Sequence, residues 1–161
     1  MQITITTGTG SGPTELAAFD AALLDSGVAN YNLICLSSII PPGSVIQRMR
    51  FVAQPEDFGN KLYVVIARYT ECQPGKEAWA GLGWVQDTLH GNGLFVEQNG
   101  TSHEDVELAI KKTLDAMVSS RGFPADEPCV AYANIKCQDQ PVCALAIAVY
   151  QSEGWNHSHG Q

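Results

Sequence analysis

The sequence predicts an α/β (α+β) sandwich, in which mixed or antiparallel sheets carry two main helices packed on them. Two segments repeat apolar residues at helical spacing, and about six to eight segments have the composition of strands. The strand-like segments are clustered and do not alternate strictly with helices, which disfavours a doubly wound parallel sheet. With 161 residues, 45% of them hydrophobic and 16% charged, the chain can bury one core, so we expect a single domain over residues 1–161.

The first part of the chain predicts a strand, a loop and a helix. Residues 2–7 (QITITT) alternate polar and β-branched side chains, which is typical of a strand. The stretch from Gly8 to Pro13 is expected to break that strand and form a flexible loop, since it lacks the ending and the glycine spacing of phosphate-binding loops. Residues 14–26 repeat apolar side chains at helical spacing and stop before Gly27, so they predict a helix.

The remaining segments predict further strands, a second helix and a polar tail. Residues 31–40 (YNLICLSSII) form a nearly continuous apolar run, which predicts one buried strand that runs into a proline turn. Ser102 opens a helix that extends to about residue 120. The polar tail from Ser152 onward is expected to fray. Other strands are predicted at residues 45–52, 61–69, 78–86, 93–98, 129–136 and 142–150.

The composition excludes several classes of partner. With 17 acidic against 9 basic residues and a formal net charge of −8, the chain would repel a nucleic-acid backbone or an anionic membrane but would tolerate a cationic small molecule. The sequence has no secretory signal pattern and no apolar run of about 18 residues, so we expect a cytoplasmic protein. Its five cysteines include no C-x-x-C pair, so we expect no metal site.

Two adjacent serines lie inside an otherwise apolar segment, LSSIIPPG, at residues 36–43. Burying an unpaired hydroxyl costs about 1 to 3 kcal/mol, so Ser37 and Ser38 need hydrogen-bond partners or a chemical role. One interpretation is a pair at a strand end that bonds to neighbouring backbone before the proline turn. The other is a site of chemistry, because a serine hydroxyl can attack a nearby carbonyl when the backbone is distorted and an oxyanion donor stands close.

The motifs around the serine pair occur in a definite order. From Gly12 to Gly43 the chain has a helix with a central Phe-Asp, then Asn-Leu-Ile, then Ser-Ser followed by Ile and Pro-Pro. This order resembles the pyruvoyl-dependent arginine decarboxylase family, in which the Ser-Ser pair is the self-cleavage site. The resemblance continues more loosely through GLFVEQNGTSHEDVE at residues 93–107 and the alanine-rich last strand, and it is weakest over residues 47–90.

The resemblance implies that the chain cuts itself. The Ser38 hydroxyl would attack the carbonyl carbon of Ser37 to give an ester, and β-elimination would then separate residues 1–37 from residues 38–161. Ser38 would become a pyruvoyl group, which supplies the electron sink that pyridoxal phosphate supplies in other decarboxylases. Neither pyridoxal phosphate nor a metal is therefore expected.

The resemblance also assigns roles to two carboxylates. Glu97, in a mostly apolar segment, would donate a proton to the substrate carbon after CO2 has left. The alternative for Glu97 is a solvated carboxylate at a strand end. Asp20 would bind the substrate guanidinium, which a carboxylate can pair in a bidentate manner. The alternative for Asp20 is an exposed helix residue without a role in binding.

Asn32 matches an asparagine that the family uses near the cleavage site, where its amide would serve as an oxyanion donor during self-processing. If residues 31–40 form one strand, side-chain alternation places Asn32 on the same face as Ser38. The alternative is an asparagine that merely starts the strand.

The activity implied by the resemblance is a carboxy-lyase that converts L-arginine to agmatine and CO2. The family forms homotrimers, sometimes paired into hexamers, with active sites between neighbouring subunits. Two alternatives stay open at this point. The substrate can be another amino acid, because the weakly matching residues 47–90 can line part of the pocket. A non-catalytic relative that serves as an assembly or regulatory subunit would instead keep the peptide bond between Ser37 and Ser38 intact.

Overall fold

This computed structural model describes residues 1–155 of the chain. In these residues two β-sheets pack face to face, and the pair of sheets lies between two α-helices. The helices are α1 (Glu15–Ser26) and α2 (His103–Arg121). This arrangement confirms the predicted α+β sandwich. The strands are β1 (Gln2–Ser11), β2 (Asn32–Cys35), β3 (Ile39–Ile40), β4 (Val45–Arg48), β5 (Lys61–Glu71), β6 (Glu77–Gln86), β7 (Gly93–Gly100), β8 (Cys129–Lys136) and β9 (Val142–Glu153).

One sheet is mixed and the other is antiparallel. The five-stranded sheet has the order β2-β5-β9-β1-β4, in which β9 runs antiparallel to both of its neighbours. Its two edge strands, β2 and β4, pair in parallel with β5 and β1. The four-stranded sheet has the order β3-β7-β6-β8 and is antiparallel throughout. Strands β2 and β3, which flank the serine pair, are therefore edge strands of different sheets.

Small side chains fill much of the space between the two sheets. Ala67, Ala80 and Ala146 are buried there beside larger residues such as Ile5 and Phe95. Each helix covers the outer face of one sheet: α1 packs on the five-stranded sheet and α2 on the four-stranded sheet. Each sheet thus has apolar residues buried on both of its faces, one face against the other sheet and one against a helix. This explains the high hydrophobic content of the chain.

The helix ends agree with the predictions from the sequence. The Thr14 hydroxyl accepts a hydrogen bond from the Ala17 nitrogen at the start of α1, and Gly27 ends that helix with a φ of 90°. At the start of α2 the Ser102 hydroxyl accepts from the Asp105 nitrogen. These caps satisfy backbone groups that the helix itself leaves unpaired.

The prediction of a loop from Gly8 to Pro13 is wrong, because β1 continues through Gly8 and Gly10 to Ser11. A Cβ added at Gly8 would lie 2.3 Å from the Ala22 oxygen. A Cβ added at Gly10 would lie 2.4 Å from the Ala22 nitrogen. The glycines therefore allow the backbone of α1 to lie directly on the strand, and they do not break it.

The single strand predicted over residues 31–40 is also wrong. The chain pairs with β5 only as far as Cys35, and the Leu36 nitrogen still donates to the Val64 oxygen. It then leaves the five-stranded sheet and joins the four-stranded sheet at Ile39, which pairs with Leu94. The serine pair lies in this crossing between the sheets.

Two other boundaries differ from the prediction. Strand β4 ends at Arg48, before the predicted residue 52. Strand β9 extends to Glu153, which pairs with Lys61, so the start of the polar tail is ordered strand and not frayed. His157 and His159, in the rest of that tail, lie outside the described residues. None of the helices described is long and apolar enough to cross a lipid bilayer.

Replacing Gly10 by alanine should destabilise the protein, because the added Cβ would clash with the backbone of α1. Overpacking of this kind costs about 1 to 3 kcal/mol, so the thermal melting midpoint should fall by several degrees. Gly100→Ala is the matched control, since its Cβ would lie 3.5 Å from Val106 Cγ2, an ordinary contact. Equal melting midpoints for the two variants would contradict the close contact between α1 and β1.

Candidate active site

The Ser38 hydroxyl donates a hydrogen bond to the Glu97 carboxylate, with 2.5 Å between Ser38 Oγ and Glu97 Oε1. Glu97 lies on β7 two residues after Phe95, which is buried between the sheets, so strand alternation directs Glu97 into the same space. Both Ser38 and Glu97 are half-buried. A carboxylate at this distance can take the hydroxyl proton and can later return a proton.

The backbone of Ser38 is strained. Its φ of 67° lies in the left-handed region, and Ser38 is the only residue other than glycine with positive φ within residues 1–155. Such a conformation costs about 1 to 3 kcal/mol and persists only where the surroundings impose it. One such restraint is visible here, because the Phe95 nitrogen donates to the Ser38 carbonyl oxygen at 2.9 Å.

Tyr150 fixes the residue that follows the serine pair. Its hydroxyl donates to the Ile39 carbonyl oxygen at 2.8 Å, and its side chain is buried in β9. Burial, reinforced by the charge of Glu97, raises the pKa of Tyr150 well above its usual range, so the phenol keeps the proton that it donates. Sequence reasoning missed Tyr150, although it is the polar residue that ends the apolar run VCALAIAVY.

A cavity of about 390 Å³ borders the serine pair on the Ser37 side. Its walls are mainly apolar and include Leu36, Ile39, Tyr63 and Tyr150. Ser37 itself is exposed. The peptide bond predicted to be cut therefore lies beside open space, while its Ser38 side is held by hydrogen bonds.

Asn32 does not lie on a strand face shared with Ser38. Strand β2 ends at Cys35, so side-chain alternation does not continue to the serine pair. The exposed Asn32 amide instead donates to the Gly59 oxygen at 2.7 Å. The expectation that these two side chains share a face was wrong, because the chain changes sheets between them.

Asp20 is exposed on α1, and within residues 1–155 it takes part in no side-chain hydrogen bond or ion pair. Its neighbour Phe19 stacks under the Arg68 guanidinium, with 4.4 Å from the Arg68 Cζ to the ring centroid. The same two residues line a cavity of about 430 Å³ together with Cys35 and Asn99. Within residues 1–155 the fold thus brings Ser38 and Glu97 into contact, but neither Asp20 nor Asn32 is hydrogen-bonded to them.

The described residues contain no cluster of three or more histidine, cysteine, aspartate or glutamate side chains that could hold a metal ion.

A family model described as "Pyruvoyl-dependent arginine decarboxylase" matches residues 2–154. Relatives named pyruvoyl-dependent arginine decarboxylase are 36% identical in Halobacterium salinarum, over 92% of this chain and 93% of the relative, and 35% identical in Thermococcus kodakarensis, over 88% of each. A solved pyruvoyl-dependent histidine decarboxylase is 13% identical with a TM-score of 0.43, over 57% of this chain and 51% of that chain. From the family match and the identity to these relatives, the chain belongs to the pyruvoyl-dependent arginine decarboxylase family.

Proposed function

We propose that this chain cuts itself between Ser37 and Ser38, forms a pyruvoyl group from Ser38, and decarboxylates L-arginine to agmatine and CO2. The observation that carries the proposal is the hydrogen bond from the strained Ser38 to Glu97. The substrate is inferred from the names of the relatives, which are arginine decarboxylases. We also propose a cytoplasmic location, as expected from the sequence.

Self-cleavage uses groups that already touch. Glu97 accepts the Ser38 hydroxyl proton while Oγ bonds to the Ser37 carbonyl carbon; the C–N bond then breaks, and the proton passes to the freed nitrogen. The Ser38 Cα proton next passes to solvent water while the Cβ–O bond breaks, which expels Ser37 as a carboxylate and cuts the chain. Water finally displaces the nitrogen as ammonia and leaves a ketone at residue 38. The strained φ of Ser38 favours the first step, because bond rearrangement releases that strain.

The residues around Ser38 fit a pyruvoyl group at that position. When formed, such a group supplies an electron sink for decarboxylation. The Phe95 nitrogen already donates to the carbonyl oxygen of residue 38, and a donor there stabilises negative charge on that oxygen. Glu97 lies at the side chain of the same residue, where it can hand a proton to the substrate carbon.

Asp20 is proposed to bind the substrate guanidinium in a site completed by a neighbouring subunit. Asp20 is exposed, and within residues 1–155 it has no hydrogen bond to Ser38 or Glu97. Leu16 and Leu24 flank it at four-residue spacing on α1 and are 74% and 55% exposed. An apolar helix face with a carboxylate at its centre is suited to an interface between copies, so we propose a homotrimer, or a hexamer of two trimers.

Asn32 is proposed to assist self-processing as an oxyanion donor. One of its amide hydrogens is engaged by the Gly59 oxygen. Its amide makes no other hydrogen bond within residues 1–155, so from this exposed position the second hydrogen can donate to a neighbouring copy.

Intact mass spectrometry tests the self-cleavage. Wild-type protein should separate under denaturing conditions into residues 1–37 and 38–161, and the larger piece should lack a free amino terminus. Ser38→Ala should stay a single chain because it has no attacking hydroxyl. Ser37→Ala is the control and should still be cut, since the reaction uses the Ser37 carbonyl and not its hydroxyl. Active wild-type protein that consists of one unmodified chain would refute the mechanism.

Glu97→Gln should lower kcat for CO2 release, normalised to the cleaved fraction, by roughly 100- to 10,000-fold, the usual contribution of a positioned acid or base. The same variant should cut itself more slowly, because the amide cannot accept the Ser38 hydroxyl proton. Glu104→Gln, an exposed change on α2, is the control and should match wild type in both measurements. Unchanged kcat in Glu97→Gln would exclude the proton donor role.

Asp20→Asn should cut itself normally and should raise KM for arginine by roughly 10- to 100-fold, because a charge-assisted hydrogen bond contributes about 1.5 to 3 kcal/mol. Asp115→Asn, exposed on α2, should leave KM unchanged. Measuring CO2 release over a panel of amino acids shows whether arginine is the preferred substrate. A normal KM in Asp20→Asn would place guanidinium binding elsewhere.

A further inference from the structure

Ile39 follows the serine pair in a strand of only two residues, β3. On one side β3 pairs with β7, and the Phe95 nitrogen holds the Ser38 carbonyl on that side. Successive carbonyls of an extended chain point to opposite edges, so the Ile39 carbonyl faces away from β7. Because β3 is an edge strand, no neighbouring strand is available to bind that carbonyl in the described part of the sheet.

Tyr150 supplies the missing donor from the other sheet. Its hydroxyl binds the Ile39 oxygen at 2.8 Å across 111 residues of sequence. The tyrosine ring is itself fixed, because it is 8% exposed and packs edge-on against Phe95 with 6.2 Å between ring centroids. Two successive carbonyls are therefore held from opposite sides, that of Ser38 by β7 and that of Ile39 by Tyr150.

This double restraint bears directly on the strained serine. A strand of two residues has little pairing energy of its own, so one free end would let Ser38 relax to an ordinary φ. A change of φ turns the Cα–Cβ bond, so relaxation would move the Ser38 hydroxyl from the position in which it contacts Glu97.

We infer that Tyr150 is a positioning residue for self-cleavage: by holding the Ile39 carbonyl, it keeps Ser38 in the conformation from which its hydroxyl reaches both Glu97 and the Ser37 carbonyl. This inference rests on the proposed self-cleavage of the chain. The Tyr150 hydroxyl acts through the backbone of Ile39, to which it donates, and within residues 1–155 it has no hydrogen bond to Ser37, Ser38 or Glu97.

Tyr150→Phe removes the hydroxyl and keeps the ring, and Tyr63→Phe is its matched control. Tyr63 lines the same cavity, but its hydroxyl donates to Glu153 and not to the crossing segment. Full-length chains made in a cell-free translation reaction are followed over time by gel and intact mass. We expect the half-time of cleavage to lengthen at least ten-fold in Tyr150→Phe and to stay near the wild-type value in Tyr63→Phe.

Hydroxylamine shows whether Tyr150 acts on ester formation or on the later elimination step. It cuts the ester that forms when the Ser38 hydroxyl attacks Ser37, so it reports on the first step alone. If Tyr150 positions Ser38, hydroxylamine-dependent cleavage should also fall at least ten-fold in Tyr150→Phe. Cleavage by hydroxylamine at the wild-type rate would overturn the inference, since the ester would then form normally.

Gly10→Ala controls for a general loss of stability, because its clash lies under α1 and away from the serine pair. If Gly10→Ala and Tyr150→Phe slow cleavage equally, the effect of Tyr150→Phe is explained by lower protein stability, and the inference is overturned. Normal cleavage in Tyr150→Phe would overturn it too, while leaving self-cleavage itself intact. A wild-type chain that never cuts itself would instead refute the proposed function.

Discussion

The passage of the chain from one sheet to the other is the constraint on which the site depends. Strand β2 is an edge strand of the five-stranded sheet, and β3 is an edge strand of the four-stranded sheet. The backbone between Cys35 and Ile39 must therefore cross from one layer to the other. It does so with a left-handed residue at Ser38. The hydrogen bonds to Phe95 and Glu97 then follow from the pairing of β3 with β7, which carries both partners. The strained backbone of Ser38 and its hydrogen bonds to Phe95 and Glu97 thus have one topological origin.

The local features of the fold could be read from the sequence, and the features that depend on a distant partner could not. Thr14 and Ser102 signal the two helix starts by their own side chains. Gly10 looks like a strand breaker until the backbone of α1 lies over it. The apolar run at residues 31–40 is equally compatible with one long strand or with two short ones, because periodicity does not state which sheet a residue joins.

The same distinction applies to the site. Ser38 and Glu97 are 59 residues apart, and only the resemblance to a family linked them before the structure placed them in contact. Tyr150 has no such signal, because its partner is a backbone carbonyl that any residue at position 39 would present. Asp20 and Asn32 stay predictions, since within residues 1–155 neither side chain is hydrogen-bonded to Ser38 or Glu97.

The order of strands has a consequence for the two pieces that self-cleavage would produce. The short piece contains β1, α1 and β2, whereas the long piece contains β4, β5 and β9. Strand β1 is inserted between β9 and β4, and β2 is hydrogen-bonded to β5. The short piece is therefore interleaved with the long one and cannot dissociate or exchange with free peptide unless the five-stranded sheet is dismantled. Cutting the covalent link would leave one folded unit with two extra chain ends.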